Sequence, residues 1–147
     1  MKCPYCQSEN TKVIDKRDVE DVGTTRRRRE CLKCGKRFTT YERVEKIDLK
    51  VVKKDGRVED YAREKIKKGV TKSVEKRPPT EEQVEELIDE VEQKLLNRQS
   101  KQISSSDIGQ MVLTRLRKMD KIAYLRFASV FLEFENIEDF VKEIKEL

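Results

Sequence analysis

The sequence opens with Cys3-Pro4-Tyr5-Cys6, and a second cysteine pair, Cys31-Leu32-Lys33-Cys34, follows after 24 intervening residues. Two residues between the cysteines of a pair let one tight turn present both thiolates to the same tetrahedral metal ion. Two such pairs supply the closed, four-sulfur coordination of a structural zinc site. The spacing therefore predicts one Zn²⁺ per chain, with Cys3, Cys6, Cys31 and Cys34 as ligands.

The segment between the two pairs is poor in apolar residues. Val13, Ile14 and Val19 are nearly its only aliphatic side chains, so we expect a short hairpin without a core large enough to fold alone. Metal binding, on the order of 10–16 kcal/mol for structural zinc, has to supply its stability. The alternatives are redox-active cysteine pairs or two disulfides, and without a βαβ context or a secretory leader zinc is the favoured interpretation.

A basic cluster surrounds the second cysteine pair. Seven of the twelve residues from Arg26 to Arg37 are positively charged, and we expect the zinc-supported turn to display them. Cations that contact phosphates release condensed counterions, and arginine adds bidentate geometry. The alternative is a solvated basic loop. The candidate residues for binding nucleic acid are Arg26, Arg27, Arg28, Arg29, Lys36 and Arg37.

Two aromatic residues, Phe38 and Tyr41, follow the basic cluster. On a nucleic-acid-binding surface they would stack on unpaired bases, which would favour RNA or single strands. The alternative, which we favour, is that they cover the small core of the ribbon.

Composition and charge limit the class of protein. The chain has 147 residues, of which 43% are charged; residues 1–77 carry a net charge of +10 and residues 78–147 one of −5. This asymmetry indicates a polyanionic partner for the first half. The chain has no histidine, which excludes Ser-His-Asp and Cys-His catalysis. No apolar stretch approaches the roughly 18 residues of a membrane span, and no signal peptide is recognisable, so we expect a cytoplasmic protein without a membrane partner.

The second half begins with a predicted β-hairpin. Residues 49–54 form a strand pattern, Asp55-Gly56 favours a two-residue type I′ turn, and residues 57–61 return. Ile66, Val70 and Val74 then recur at helical spacing. The exposed face of this predicted helix consists of Arg63, Lys65, Lys67, Lys68 and Lys72.

Helical patterns continue to the end of the chain. Thr80 and Gln83 form a capping box for a helix with an apolar face and carboxylates opposite. The polar residues 97–104 indicate a loop whose serines cap the next helix. Asp120 and Asn136 are predicted to cap the last two helices. Residues 122–134 are apolar nearly all round, which predicts a buried central helix.

These patterns predict an α+β protein. A small N-terminal zinc ribbon with four cysteine ligands, residues 1–45, is followed by a mainly helical domain, residues 46–147, that a β-hairpin opens. The second domain has no glycine-rich phosphate loop. Its basic side chains around the hairpin turn could hold a triphosphate by charge or simply be solvated; they are Lys50, Lys53, Lys54, Arg57 and Lys65.

The motifs together resemble the NrdR family, repressors of ribonucleotide reductase genes. The resemblance is carried by Cys3–Cys6, Arg26–Arg29 before Cys31, Arg37–Glu42, Val52–Arg57 and Arg126–Val130. It implies a ribbon that binds double-stranded promoter DNA and an ATP-cone that senses ATP and dATP. It also implies a homo-oligomer that changes with nucleotide, with dATP favouring repression. The ATP-cone positions that match are Val51, Lys53, Lys54, Glu59 and Lys65.

The sequence departs from the family pattern after the first cysteine pair. Gln7 follows the first cysteine pair where the family pattern usually has glycine, which places a possible left-handed conformation on a residue that tolerates it poorly.

Two other classes of function remain open from sequence. A reductase fragment or nucleotide hydrolase would be an enzyme, but the chain is too short for the first and lacks a hydrolytic constellation for the second. We therefore expect no enzymatic activity. A zinc-ribbon RNA adaptor without nucleotide switching would use the same arginine cluster.

Overall fold

A computed structural model describes residues 1–19, 23–44 and 48–147. The chain divides into two compact units, Met1–Lys46 and Ile47–Leu147. The boundary predicted between residues 45 and 46 lies outside the described residues. Among the residues that are described, no helix combines the length and apolarity that crossing a membrane requires.

The first unit is a three-stranded antiparallel sheet of β1 (Thr11–Val19), β2 (Thr24–Cys31) and β3 (Arg37–Glu42), in the order β1-β2-β3. The predicted short hairpin is thus a pair of long strands, and β3 joins it as a third strand that sequence reasoning did not separate. The pairing of β1 with β2 shifts between Val13 and Asp15, so Ile14 forms a β-bulge.

The core of this sheet unit is very small. Cys3, Cys31 and Phe38 are buried and pack with Cys6, whereas Val13 and Ile14 are exposed. Phe38 therefore covers the cysteines, which confirms the favoured interpretation of this aromatic residue. A core this small confirms that the unit buries little apolar surface, and we expect the metal to supply its stability.

The second unit contains a small mixed sheet. Its strands are β4 (Lys50–Val52), β5 (Val58–Asp60) and β6 (Gln102–Ser104), in the order β5-β4-β6. β4 pairs antiparallel with β5 and parallel with β6. The prediction of a loop over residues 97–104 is therefore wrong at its end, where Ile103 is buried opposite Val51. Three residues are too few to show strand alternation within a polar segment.

The turn between β4 and β5 is also different from the predicted one. The Lys53 amide donates to the Arg57 carbonyl at 2.8 Å, and the Gly56 amide donates to the Lys53 carbonyl at 3.0 Å. Gly56 has a φ of 86°, but Asp55 does not share the positive φ that a type I′ turn requires at both central residues. The hairpin instead closes with three residues, Lys54–Gly56, and glycine in the last position, so the prediction of a two-residue turn is wrong.

Five helices complete the described part of the second unit. They are α1 (Arg63–Val74), α2 (Glu81–Leu96), α3 (Ser105–Met119), α4 (Lys121–Phe131) and α5 (Ile137–Lys145). The predicted N-caps are confirmed, since the side chains of Thr80, Ser104, Asp120 and Asn136 each accept a bond from a backbone amide in the first turn of a helix. Thr80 and Gln83 form the predicted capping box.

The apolar core of this unit centres on α2 and α3. Leu87, Ile88 and Leu116 are fully buried. In α4, by contrast, only Ala123, Tyr124 and Ala128 are buried, so the prediction of a buried central helix over residues 122–134 is wrong. One side of α4 packs on α1 and α3. Leu125 and Phe127 are partly buried against the core, whereas Ile122 and Val130 are exposed.

A buried ionic cluster corrects two further predictions. Arg63, predicted to be exposed, has a side chain only 15% exposed and lies 2.6 Å from Glu85 and 2.7 Å from Asp89. Those carboxylates, predicted on the outer face of α2, are themselves buried. Burial alone would raise the pKa of Glu85, but bonds from Lys67 and Arg63 hold that pKa below its usual value. The ion pairs thus fix α1 against α2.

Candidate metal centre and ligand cavity

The four cysteines converge at one end of the ribbon. Their sulfur atoms all lie within 4.8 Å of one another. The Sγ atoms of Cys3 and Cys34 are 3.7 Å apart, and those of Cys6 and Cys31 are 3.6 Å apart. Such separations are far longer than a disulfide bond. They match the edge, about 3.8 Å, of a tetrahedron with Zn–S bonds of about 2.3 Å. The donor set and its geometry therefore fit one Zn²⁺.

The two cysteine turns have the same backbone geometry. The Gln7 amide donates to the Cys3 carbonyl at 2.9 Å, and the Gly35 amide donates to the Cys31 carbonyl at 2.9 Å. The residue after each pair adopts a left-handed conformation, with φ of 61° at Gln7 and 71° at Gly35. The predicted conformation of Gln7 is thus confirmed, and only the second turn has the glycine that it favours.

The thiols differ in acidity before a metal binds. Backbone amides of Cys34 and Lys33 donate to the Cys31 sulfur and lower the pKa of Cys31 to about 6. A hydrogen bond from the Ser8 backbone lowers the pKa of Cys6, but burial and the neighbouring thiols outweigh this bond and raise the pKa of Cys6 to about 11. Cys31 is therefore the more acidic of these two thiols, and zinc binding displaces a proton from Cys6.

The four consecutive arginines lie in β2, the central strand, and not on the zinc-supported turn where we expected them. Arg28 donates to Thr39 at 2.9 Å and Arg29 to Thr40 at 3.2 Å. Arg27 is hydrogen-bonded to Glu42, and Arg26 lies 3.7 Å from Asp15. Alternation along a strand sends Arg26 and Arg28 to one face of the sheet and the other two to the opposite face.

The two faces of the ribbon differ in charge. The first, which we call the Arg26 face, carries five cations and the carboxylates Asp15 and Glu30; the opposite face carries Lys16, Arg27 and Arg29 with Asp18 and Glu42. Sequence reasoning missed two of the cations on the Arg26 face, because strand register was needed to place them there. The cations of the Arg26 face are Lys12, Arg17, Arg26, Arg28 and Arg37.

The remaining candidates lie near the turn. Lys36 sits 4.8 Å from the centroid of the Tyr5 ring. Arg37 is bonded to Glu30 at 2.8 Å and is otherwise exposed. Tyr41 is only partly buried and lies on the Arg26 face, outside the cluster of Phe38 and the cysteines, so the prediction that it covers the core is wrong. The Arg43 guanidinium lies 4.8 Å from its ring centroid.

A cavity of about 900 Å³ lies within the second unit, between the β4–β5 hairpin, α1, α3 and α4. All five candidate residues from the ATP-cone resemblance line it. Its walls combine cationic side chains with an apolar floor that includes Ile66, Ile108 and Phe127. This combination suits a ligand with an anionic end and a flat, less polar end, as in a nucleoside triphosphate. The five predicted residues are Val51, Lys53, Lys54, Glu59 and Lys65.

Glu59 orders two of the lysines. Its Oε1 atom accepts from Lys65 at 2.7 Å and lies 3.1 Å from the Lys53 ammonium. The bonds from Lys65 and Lys53 lower the pKa of Glu59. The carboxylate is thus placed to hold both ammonium groups together at the cavity wall.

Lys54 extends from the hairpin turn to the far side of the cavity. Its ammonium lies 3.1 Å from Glu133 and 3.5 Å from the carbonyl oxygen of Phe131, and 5.8 Å from the Phe131 ring centroid. The hairpin is therefore connected to the end of α4.

Two further cations of the cavity wall, Lys72 and Arg126, were not predicted as site residues. The Arg126 guanidinium donates to the carbonyl oxygens of Ser73 and Glu75 at the end of α1, at 3.3 Å and 2.8 Å. Arg126 belongs to a motif that carried the resemblance, and Lys72 to the basic face of a predicted helix. Their convergence becomes visible only when α1 and α4 are packed together.

Comparison with known proteins agrees with this geometry. Residues 1–42 match the family model of the N-terminal domain of NrdR-like transcriptional repressors, and residues 49–137 match the ATP cone domain. Relatives named transcriptional repressor NrdR align with the whole chain: the Thermoanaerobacter sp. (strain X514) protein is 50% identical over 93% of its length. Those of Listeria monocytogenes serotype 4a and Caldicellulosiruptor saccharolyticus are 50% and 48% identical, each over 96% of its length. The chain belongs to the NrdR family of transcriptional repressors, a regulatory family that combines a zinc ribbon with an ATP-cone domain.

Proposed function

We propose that this repressor binds double-stranded promoter DNA through its ribbon and that adenine nucleotides in the cavity control the binding. The family resemblance implies ribonucleotide reductase genes as the targets and the bacterial cytoplasm, where promoters lie, as the location. The observation that carries the proposal is that one chain has two separate groups of cationic side chains, one on each unit. A cationic sheet stands next to a four-thiol cluster, and a cationic cavity of nucleotide size lies in the second unit.

Zinc has a structural role in this proposal. Cys3, Cys6, Cys31 and Cys34 hold one Zn²⁺, whose four thiolate ligands leave no open position for a reacting group. The metal takes the place of the apolar core that the sheet lacks, and so it holds β2 and β3 in the register that aligns the cations.

The Arg26 face is the proposed DNA-binding surface. Its five cations exceed its two carboxylates by three, whereas the opposite face has an excess of only one. Arg17 and Arg37 have side chains 70% and 60% exposed, so a phosphate can reach them without breaking the sheet. Lys36 and the arginines of the opposite face, Arg27 and Arg29, then add long-range attraction more than direct contacts.

The cavity is the proposed site for ATP and dATP. Lys53, Lys54 and Lys65 supply charge for the triphosphate, Glu59 positions two of them, and Val51 contributes to the apolar wall. ATP and dATP differ by one hydroxyl. The site therefore has to convert that difference into a coupling free energy of about 1–3 kcal/mol between nucleotide binding and assembly. A homo-oligomer in which two ribbons are related by a two-fold axis would suit palindromic half-sites.

Fluorescence anisotropy on promoter DNA and on scrambled DNA tests the proposal. Zinc-loaded protein is measured at several stated salt concentrations with no nucleotide, with ATP, with dATP and with both. We expect selective promoter binding only when dATP is present. Binding that ignores both nucleotide and DNA sequence, or that is equally strong on RNA, would favour the adaptor function instead.

Two matched double variants test the DNA-binding face in the same assay. Arg26→Gln with Arg28→Gln removes two contacts from the Arg26 face, and Arg27→Gln with Arg29→Gln removes the same charge from the opposite face. Each lost phosphate contact reduces the slope of log K against log salt by about 0.9, so we expect the first pair to lower that slope by about 2 and the second by much less. Equal slopes for the two pairs would contradict the assignment of the face.

A further inference from the structure

The last helix, α5, has an apolar stripe that faces away from its own unit. Ile137, Val141 and Ile144 are 76%, 44% and 53% exposed. Successive members of this set are four and three positions apart in the sequence, which places them in one row along the helix. α5 has no buried residue, although it is as amphipathic as a helix that packs on a core.

The outward orientation of this stripe is fixed by contacts on the flank of α5 that carries Phe140 and Glu143. The Phe140 ring packs edge-on against Phe134 with centroids 4.9 Å apart. Tyr124 of α4 donates a hydrogen bond to Glu143, and Arg117 of α3 donates to the carbonyl of Glu146. These contacts hold one side of α5 against the unit, so the stripe cannot turn inward without breaking them.

The charges beside the stripe are ordered along the helix. At about 100° per residue, Glu138, Lys142 and Lys145 lie on the same flank of the stripe. The acidic residue is near the N-terminal end and the lysines are near the C-terminal end. A shallow groove runs between this flank and the stripe, lined by Ile137, Glu138, Val141, Lys142, Lys145 and Glu146.

We propose that this stripe docks against the same stripe of a second copy of the chain, with the two α5 helices antiparallel about a two-fold axis at Val141. In an antiparallel pair, the flanks of the two helices that carry the same residues lie side by side. The interface therefore contains two symmetry-related pairs, each between Glu138 of one copy and Lys145 of the other. Ile137 and Ile144 likewise meet across the axis. A parallel pair would instead bring this flank against the Phe140 and Glu143 side of the second helix, which its own unit already occupies.

The contact is small. The stripe spans the eight residues from Ile137 to Ile144, about 10 Å along the helix, so the buried area stays below the roughly 1,200 Å² of a stable standard interface. The α5 pair is therefore one weak, salt-sensitive contact within a larger assembly. The inference rests on the proposed homo-oligomer and identifies one of its surfaces.

Charge exchange tests the pairing. Glu138→Lys and Lys145→Glu are each introduced alone and then together in the full-length, zinc-loaded chain. Sedimentation velocity at low salt is run over a range of protein concentrations without nucleotide, with ATP and with dATP. Each single variant converts two attractive pairs into repulsive ones, and we expect self-association to weaken about fivefold. The double variant restores the pairs and should associate like the original protein.

Two further variants control the experiment. Val141→Glu places a charge on the axis and should abolish the contact without unfolding the helix, because Val141 is exposed. Lys94→Glu makes the same charge change as Lys145→Glu at an exposed position of α2 and should have no effect. Zinc content and ATP binding are measured on every variant and should not change.

The results distinguish an error in the α5 contact from an error in the proposed homo-oligomer. If the original protein assembles but Val141→Glu and both single charge variants assemble equally well, the α5 pairing is wrong and the proposed oligomer stands. If the single variants weaken assembly and the double variant does not restore it, α5 binds a different surface, and antiparallel self-pairing is wrong. If the original protein stays monomeric in every condition, the homo-oligomer itself is wrong.

Discussion

At the level of single residues, the two cysteine turns form an internal comparison. Gln7 and Gly35 occupy the same place after their cysteine pairs, with the same backbone bond and similar positive φ values. A left-handed conformation costs an L-residue about 1–2 kcal/mol. No atom lies within 4 Å of the position that a Cβ at Gly35 would take, so backbone strain alone distinguishes the two residues.

Gln7→Gly should therefore strengthen zinc binding and Gly35→Gln should weaken it, each by about 1 kcal/mol. Because folding of the ribbon and metal binding are coupled, the change appears as about a fivefold shift in zinc affinity. Competition with a chromophoric chelator measures the shift. Affinities that move in the same direction for both variants would show that the two turns are not equivalent.

Single residues of the ligand cavity were predictable to different degrees. Lys53, Lys54 and Glu59 belong to a contiguous motif, so a sequence resemblance could transfer them. Lys72 and Arg126 come from different helices, and only helix packing brings them to one wall. Arg63 was misplaced for a related reason: the carboxylates that surround it lie at least 22 residues away in sequence.

At the level of elements, helix starts were predicted well and strand partners poorly. An N-cap is a local device within four residues, as at Thr80 with Gln83. The parallel pairing of β4 with β6 joins residues about fifty positions apart, and no local pattern encodes it. The hairpin turn was misassigned because Asp-Gly suits two turns: a two-residue type I′ turn, in which both residues take a positive φ, and a three-residue turn, in which the glycine alone does.

The packing of α3 on α4 gives a sharp element-level prediction. A Cβ on Gly109 would overlap the Phe131 ring, whereas a Cβ on Gly69 would lie 3.3 Å from Cε2 of Phe127. Both glycines are within helices, where alanine is intrinsically favoured by about 1 kcal/mol. Gly109→Ala forces the Phe131 ring to move, which costs about 1–3 kcal/mol, while Gly69→Ala should stay within about 1 kcal/mol of the original protein.

Urea unfolding measures both free energies of unfolding, and calorimetric titration with ATP measures the effect on the cavity. Phe131 lines the cavity and contacts Lys54, so Gly109→Ala should also weaken ATP binding, and Gly69→Ala should weaken it less. If Gly109→Ala proved as stable as Gly69→Ala, the close approach of α3 to Phe131 would be disproved.

At the level of the whole molecule, the two units depend on different sources of stability. Among the residues that the structure describes, the ribbon has a cluster of three buried residues and one partly buried cysteine, whereas the second unit has seventeen buried residues in a single core. All residues that line the cavity belong to the second unit. Loss of the metal should therefore remove one function of the chain and leave the other.

Lys53→Ala tests this separation from the side of the cavity. The substitution removes an ammonium group from the cavity wall, so it should weaken ATP binding and remove the nucleotide dependence of promoter binding. The zinc content should not change, because the thiol cluster lies in the other unit. Calorimetry with ATP, DNA anisotropy and metal analysis measure the three properties. Normal ATP affinity in this variant would contradict the assignment of the cavity.

Cys31→Ser is the reciprocal experiment on the ribbon. Cys31 is buried and belongs to the thiol cluster, so its loss should abolish stoichiometric zinc and promoter binding. ATP affinity should stay within about twofold of the original because the cavity keeps its own core. The same three measurements apply. A Cys31→Ser protein that keeps one zinc would refute the ligand assignment. One that loses ATP binding together with zinc would show that the cavity needs a folded ribbon, and independent stability of the two units would then be wrong.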